Sequence, residues 1–163
     1  MTAERIEPFV LSDEEKAEID EEMRQYEDPG AASVEALMAV QKRRGWVSDE
    51  ALRAVAEYTG IAASDLEGVA TFYNLVFRQP VGRHVVFVCD SVSCWLCGYR
   101  ELTEAVQQKL GIGFGETTGD GRFTLLPSVC LGNCDHAPAI MIDGDHHGPV
   151  DANNLDGILE GYA

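Results

Sequence analysis

The stretch Val85-Val86-Phe87-Val88-Cys89-Asp90-Ser91-Val92-Ser93-Cys94 decides how the second half of this chain folds. Its four leading apolar residues, mostly β-branched, read as a short buried strand running straight into a cysteine. A second apolar run, Phe123-Thr124-Leu125-Leu126, leads up to Cys130. Between the two, Leu96, Tyr99, Leu102, Val106 and Leu110 recur at helical spacing and stop at Gly111. Strand, helix and strand in this order make a right-handed crossover with its two strands parallel. The loops after the two strands then leave the sheet at the same end. One carries Cys89 and Cys94 with four residues between them, and the other carries Cys130 and Cys134 with three between them. Topology thus gathers two cysteine pairs that are 35 residues apart in sequence.

Downstream, Ala139-Ile140-Met141-Ile142 reads as a third strand, Asp143-Gly144 as a hairpin turn, and His147 to Val150 as the return strand. Asn153 or Asn154 is expected to cap a last short helix. Upstream the period changes to helical. Ser12-Asp13-Glu14-Glu15 is a capping box opening a helix to about Tyr26. Asp28-Pro29-Gly30 is a break with Pro29 suited to a first helical position. Val34, Leu37, Met38 and Gln41 follow, with Lys42, Arg43 and Arg44 in the last turn and Gly45 as the stop. Ser48 caps a third helix carrying Leu52, Val55 and Ala56, closed by Gly60. Ser64-Asp65-Leu66-Glu67 reads as a second capping box, opening a fourth helix through about Tyr73. The expected architecture is therefore α+β. A helical domain over 1–79 precedes an α/β domain over 80–163, with the boundary near Arg78-Gln79-Pro80.

Length and charge narrow the function. The chain has 163 residues, 45% of them hydrophobic, and a net charge of −16. The charge is spread out: 17 acids and 8 bases over 1–79, and 11 acids and 4 bases over 80–163. Nucleic acid needs a basic patch, and an anionic membrane surface would repel this chain. No apolar run approaches the ~20 residues that span a bilayer, and the start Met-Thr-Ala-Glu-Arg-Ile-Glu-Pro lacks the pattern of a signal peptide. A cytoplasmic location, with thiols reduced, is expected, so clustered cysteines point to metal or redox chemistry.

Four thiolates suit either zinc or an iron–sulfur cluster. Zinc favours tight hooks. The Cys130/Cys134 pair fits one, whereas four residues between Cys89 and Cys94 reach its wide limit. A [2Fe-2S] cluster accepts wider loops, because each pair holds one iron, and the first spacing also occurs in plant-type ferredoxins. Gly132 would let the second loop wrap closely. A fifth cysteine closes Cys94-Trp95-Leu96-Cys97. That arrangement sits where a thioredoxin-type dithiol would, with Pro138 as a candidate for the proline opposite it. Using Cys94 and Cys97 that way leaves Cys89, Cys130 and Cys134 without a role.

Taken together, Cys89 to Cys94 followed by Gly98-Tyr99, and Gly121-Arg122-Phe123-Thr124-Leu125-Leu126-Pro127 leading into Cys130-Leu131-Gly132-Asn133-Cys134, resemble a known family. It is the small thioredoxin-like [2Fe-2S] subunit of NADH:quinone oxidoreductase, respiratory complex I. Gly68-Val69-Ala70-Thr71-Phe72-Tyr73 resembles the motif of that family's helical half. The resemblance implies a thioredoxin-like second domain and one [2Fe-2S] cluster on Cys89, Cys94, Cys130 and Cys134, with Cys97 outside the ligand set. It implies a partner flavoprotein subunit that binds NADH and FMN, with the cluster close to the FMN and electrons passing singly toward quinone. It also implies other peripheral-arm partners and attachment to the cytoplasmic membrane through them, without insertion. Equivalent subunits occur in NAD-linked formate dehydrogenases and NAD-reducing hydrogenases. A zinc-stabilised module and a Cys94/Cys97 dithiol oxidoreductase are the remaining alternatives.

The other features carry less. Gly111-Ile112-Gly113-Phe114-Gly115 follows a helix instead of joining a strand to one, so it reads as a connector and not a nucleotide loop. NADH and FMN would then need a partner's site. His136, His146 and His147 read as surface turn residues. Trp46, Phe72, Tyr73 and Phe77 include more apolar surface than about eighty helical residues readily bury, so part of it is expected to dock on partner subunits.

Overall fold

Ser12 opens the first helix as its pattern predicts. In a computed structural model, which describes residues 9–162, its hydroxyl accepts from Glu15 N while Glu15 Oε2 accepts from Ser12 N at 2.7 Å. This helix, α1 (Asp13–Met23), ends a turn earlier than expected. A short 3-10 turn at Pro29–Ala32 precedes α2 (Ser33–Arg44), which stops at Gly45 with φ +84°. Ser48 caps α3 (Asp49–Thr59), and α4 (Ala63–Phe72) completes the helical half. Contacts divide the chain into two compact units, Met1–Pro80 and Val81–Ala163.

Two expectations for the first unit are corrected. The buried face of α2 is Ala36, Leu37, Ala39 and Val40, while Met38 is exposed. Gln41 is buried because its amide clamps the segment after α4: Nε2 donates to Leu75 O at 2.7 Å, and Oε1 accepts from Phe77 N at 2.6 Å. The second capping box does not form. The helix starts two residues earlier, with Ala62 at the cap, and the Glu67 carboxylate is taken by Arg78 at 2.8 Å. One apolar core, built on Ile19, Leu37, Val40, Val55 and Leu66, holds the four helices together.

The second unit is a four-stranded sheet in the order β2-β1-β3-β4. β1 (His84–Cys89) runs parallel to β2 (Phe123–Ser128), with Cys89 in register with Ser128. β3 (Ile140–Ile142) pairs antiparallel with β1 and with β4 (Asp145–His147). The hairpin turns at Asp143 and Gly144, both at positive φ, so pairing resumes at Asp145. The return strand therefore comes earlier than expected. It stops before Pro149, which has no N–H to offer a ladder. His146 belongs to this strand rather than to a turn, and His147 ends the strand instead of starting it.

The expected single helix after β1 is broken in two. α5 (Val92–Leu96) and α6 (Tyr99–Leu110) meet at Gly98, whose φ of +110° ends one axis and starts another. Leu96 falls off the apolar stripe and is 72% exposed. Leu102 and Val106 of α6, and Leu155 and Leu159 of α7 (Leu155–Glu160), pack with Val86, Val88, Leu125 and Ile140 in one core. Asn154 occupies the cap position of α7 without capping it. Asp151 does that work, its Oδ1 accepting from Asn153 N and Asn154 N at 2.8 and 3.1 Å. Arg122 ties the far end of α7 to β2 by donating to the carbonyls of Leu159 and Tyr162, each at 2.9 Å. Both X-Pro bonds at Pro138 and Pro149 are cis. Among the described residues, no helix is long and apolar enough to cross a membrane.

Candidate metal centre

The parallel pairing of β1 and β2 sets the site. Both strands end together, and the two loops leave side by side, with Asp90 N donating to Ser128 O at 2.9 Å. Cys89 is the last residue of β1, and Cys94 lies within α5. Both are 2% exposed and pack with Ala139 beneath the loops. Cys130 and Cys134 stand on the second loop, exposed, with their sulfurs 3.4 Å apart. Gly132 turns that loop with φ +83° and aims its N–H at Cys130 Sγ, 3.4 Å away.

The two pairs meet electrostatically. Cys94 is pushed up to about 11, first by burial and then by its hydrogen bond with Cys89, against a backbone hydrogen bond from Ala139. Cys130 is held below the ordinary thiol value, chiefly by the Gly132 amide and also by the Cys134 thiol and the Ser91 hydroxyl. Cys134 is raised, first by its hydrogen bond with Cys130 and then by the charges of Cys130 and Cys89, while the Ser93 hydroxyl opposes the rise. Cys134 thus feels a thiol from the other loop. All four predicted cysteines share one end of the sheet.

Four free thiols in two pairs fit a two-iron cluster. A thiolate-bound tetrahedral metal with bonds of ~2.3 Å spaces its sulfurs by roughly 3.8 Å, close to the separation within the second pair. Among the described residues, no three or more Cys, His, Asp or Glu side chains gather tightly enough to hold a metal ion together. The thiols come as two pairs from two segments, which suits a cluster whose irons each take one pair. Backbone N–H groups of Gly132 and Ala139 supply the partial positive charge that four thiolates need.

Cys97 stands apart. It caps α5, its N–H donating to Ser93 O at 3.0 Å, and its exposed side chain lines a cleft with Glu101, Pro138 and Asp151. Burial raises the neighbouring Cys94, the opposite of the lowered thiol that an attacking dithiol cysteine needs. Two hydroxyls that cysteine spacing does not mark out, those of Ser91 and Ser93, act to hold the second pair's thiols down. Their position, three and one residues before Cys94, is the only signal the sequence carries of it.

Residues 19–163 match the family described as thioredoxin-like [2Fe-2S] ferredoxin. The chain belongs to this family. It is 58% identical over 154 residues to the NADH-quinone oxidoreductase E subunit of Pseudomonas aeruginosa, covering 94% of this chain and 93% of that one. It is 56% identical over 156 residues to the corresponding E subunit of Escherichia coli strain K12, covering 96% and 94%. Among solved structures, NAD+-reducing [NiFe]-hydrogenase in the air-oxidized state superposes with a TM-score of 0.68. That likeness covers 80% of this chain and 22% of the hydrogenase chain at 24% identity, and is one of fold. The thioredoxin-like [2Fe-2S] ferredoxin family thus accounts for the helical half as well as the sheet, since the match begins within α1.

Proposed function

We propose that this chain is the electron-transfer subunit of an NADH:quinone oxidoreductase, holding one [2Fe-2S] cluster on Cys89, Cys94, Cys130 and Cys134. The observation that carries this reading is the meeting of two cysteine pairs at one sheet end, in a chain 58% identical to the E subunit of such an enzyme. When bound, a [2Fe-2S] cluster supplies one-electron transfer. The chain's own residues do the rest. Cys89 and Cys94 anchor the site from beneath, while Cys130 and Cys134 face outward.

Val92, Trp95, Leu96 and Val129, on or beside the two loops, expose 55–72% of their surface. Such a rim would exclude water from the approach of a partner flavoprotein subunit that binds NADH and FMN. Phe72 and Tyr73, exposed at the end of α4 and stacked edge to face at 5.3 Å, would dock the 1–79 helical domain on peripheral-arm subunits. The 80–163 domain carries the redox site. The complex would lie on the cytoplasmic face of the membrane, with this chain attached through partners.

The test is purification of the chain from its own cells under anaerobic conditions. A flavoprotein subunit should accompany it, and the preparation should show iron, visible absorption and an EPR signal after dithionite. A colourless preparation with stoichiometric zinc would sink the proposal.

A further inference from the structure

The two cysteine pairs differ in access. Cys89 and Cys94 are each 2% exposed and pack with Ala139 beneath the loops. Backbone bonds fix the first pair's segment there, Cys89 N donating to Ala139 O at 3.1 Å and Asp90 N to Ser128 O at 2.9 Å. Cys130 and Cys134 are exposed, with their sulfurs already 3.4 Å apart. Bonded sulfurs stand about 2.0 Å apart, so closing this gap asks each to move by roughly 0.7 Å. Rotation of two exposed side chains supplies that. Only Leu131, Gly132 and Asn133 lie between them, and the turn at Gly132 has already folded the loop on itself. Little chain entropy is then left to lose on closure. Cys97 is exposed as well, but it lines a cleft in which no other cysteine stands.

We propose that Cys130 and Cys134 form a reversible disulfide, which locks the chain against cluster loading when the surrounding thiol pool is oxidised. The proposal rests on the ligand assignment above. The oxidant is a small-molecule disulfide of the glutathione type. The thiolate of one exposed cysteine attacks it, a mixed disulfide forms, and one glutathione thiolate leaves. The thiolate of the other cysteine attacks the protein sulfur of that mixed disulfide. The Cys130–Cys134 bond forms and the second glutathione leaves. The two protons given up by the cysteines pass to the two glutathione thiolates, and the chain loses two electrons to the oxidant. The buried pair stays out of the exchange, because the oxidant has no access to it. Each iron of a [2Fe-2S] cluster takes two protein ligands, so a closed second pair leaves one iron unheld. Exposed disulfides are the labile kind, so a recovered thiol pool reopens the lock.

The experiment uses the full chain, freed of iron by a chelator under reducing anaerobic conditions and then separated from the reductant. The probe is oxidised glutathione. Peptide mapping of the treated parent should join Cys130 to Cys134. Cys97→Ser, which lacks the other exposed thiol, should become lighter by two hydrogens and retain no glutathione. Both should take up no iron from ferrous iron and sulfide until dithiothreitol is added. Cys134→Ser should instead carry one glutathione on Cys130 and form no internal disulfide. If Cys130 and Cys134 stay free, or the bond runs through Cys97 or the buried pair, while the reduced chain loads iron, the inference falls and the ligands stand. A chain with the Cys130–Cys134 bond closed that loads iron as fast as the reduced one overturns the lock. A reduced chain that takes up no iron overturns the ligand assignment, and the lock with it.

Discussion

The sulfurs of Cys130 and Cys134 lie 3.4 Å apart across a loop that turns at Gly132 with a φ of +83°. The separation is a property of that turn. A Cβ at residue 132 would meet no atom within 4 Å, so an added methyl is opposed by backbone conformation alone. Gly132→Ala should cost about 1 kcal/mol in the left-handed region and let the loop relax toward φ below zero, widening the pair. Reduced iron per chain with a melting temperature lowered by only a few degrees is the expected result. Parental iron content would show that the pair does not depend on the turn.

Cys97 separates the ligand assignment from its alternatives. Its exposed thiol lies in a cleft with Glu101 and Asp151 that none of the four paired cysteines lines. Cys97→Ser should leave iron content, EPR signal and midpoint potential at parental values, whereas Cys130→Ser should lower iron content severely. Loss of the cluster in Cys97→Ser would mean that the fifth cysteine is a ligand.

In the helical unit, Arg44 grips Glu15 with two bonds, Nε to Oε1 at 2.6 Å and Nη2 to Oε2 at 2.8 Å. It also donates to Val10 O at 3.0 Å and stacks on Phe9 at 4.2 Å, so one guanidinium fastens the segment before α1 to the end of α2. Hydrogen bonding from Arg44 holds the Glu15 carboxyl below its ordinary 4.5 in spite of burial. A depressed folded-state value contributes stability above 4.5 and loses it as pH falls through the folded value. Glu15→Gln should cost about 2 kcal/mol at neutral pH by leaving Arg44 without its charged partner. It should also flatten the decline below pH 4.5. Denaturant unfolding followed by helical circular dichroism at pH 7 and pH 4 measures both.

Tyr162 closes the other unit. Its hydroxyl donates to Asp145 Oδ2 at 3.0 Å and lies 2.8 Å from His147 Nε2, and its ring stands edge to face with His84 and His147. Burial, and then the hydrogen bond to Asp145, push it up to about 12 from its ordinary 10.0. The neutral phenol is therefore favoured by folding. Its contribution is complete below pH 10.0 and disappears as pH rises toward about 12. Tyr162→Phe should cost about 1 kcal/mol at neutral pH and remove this part of the alkaline slope. Unfolding midpoints at pH 8 and pH 11 for both proteins would show a constant difference if the phenol plays no part.

The helices that begin at Ser12 and Ser48, and those that end at Gly45 and Gly60, were legible from local chemistry, because a cap is made within one turn of its own helix. The parallel β1–β2 pair, and with it the meeting of Cys89 and Cys94 with Cys130 and Cys134, was legible as well, because crossover handedness allows one arrangement. The errors fell where a distant partner overruled a local signal. Glu67 suited a capping box but went to Arg78, Gln41 looked like one more face position but clamps Leu75 and Phe77, and the stripe from Leu96 breaks at Gly98.

Sequence by itself determined which cysteines come in pairs and which end of the sheet they reach, since spacing and strand order settle both. Only the tertiary structure decided what surrounds the sulfurs. The Ser91 hydroxyl from the other loop helps to hold Cys130 down, an Ala139 backbone hydrogen bond opposes the rise of buried Cys94, and Cys97 faces another cleft. Hydrogen bonds to sulfur act over a few ångströms between loops far apart in the chain, so their existence depends on loop offset and side-chain direction, which no periodicity records.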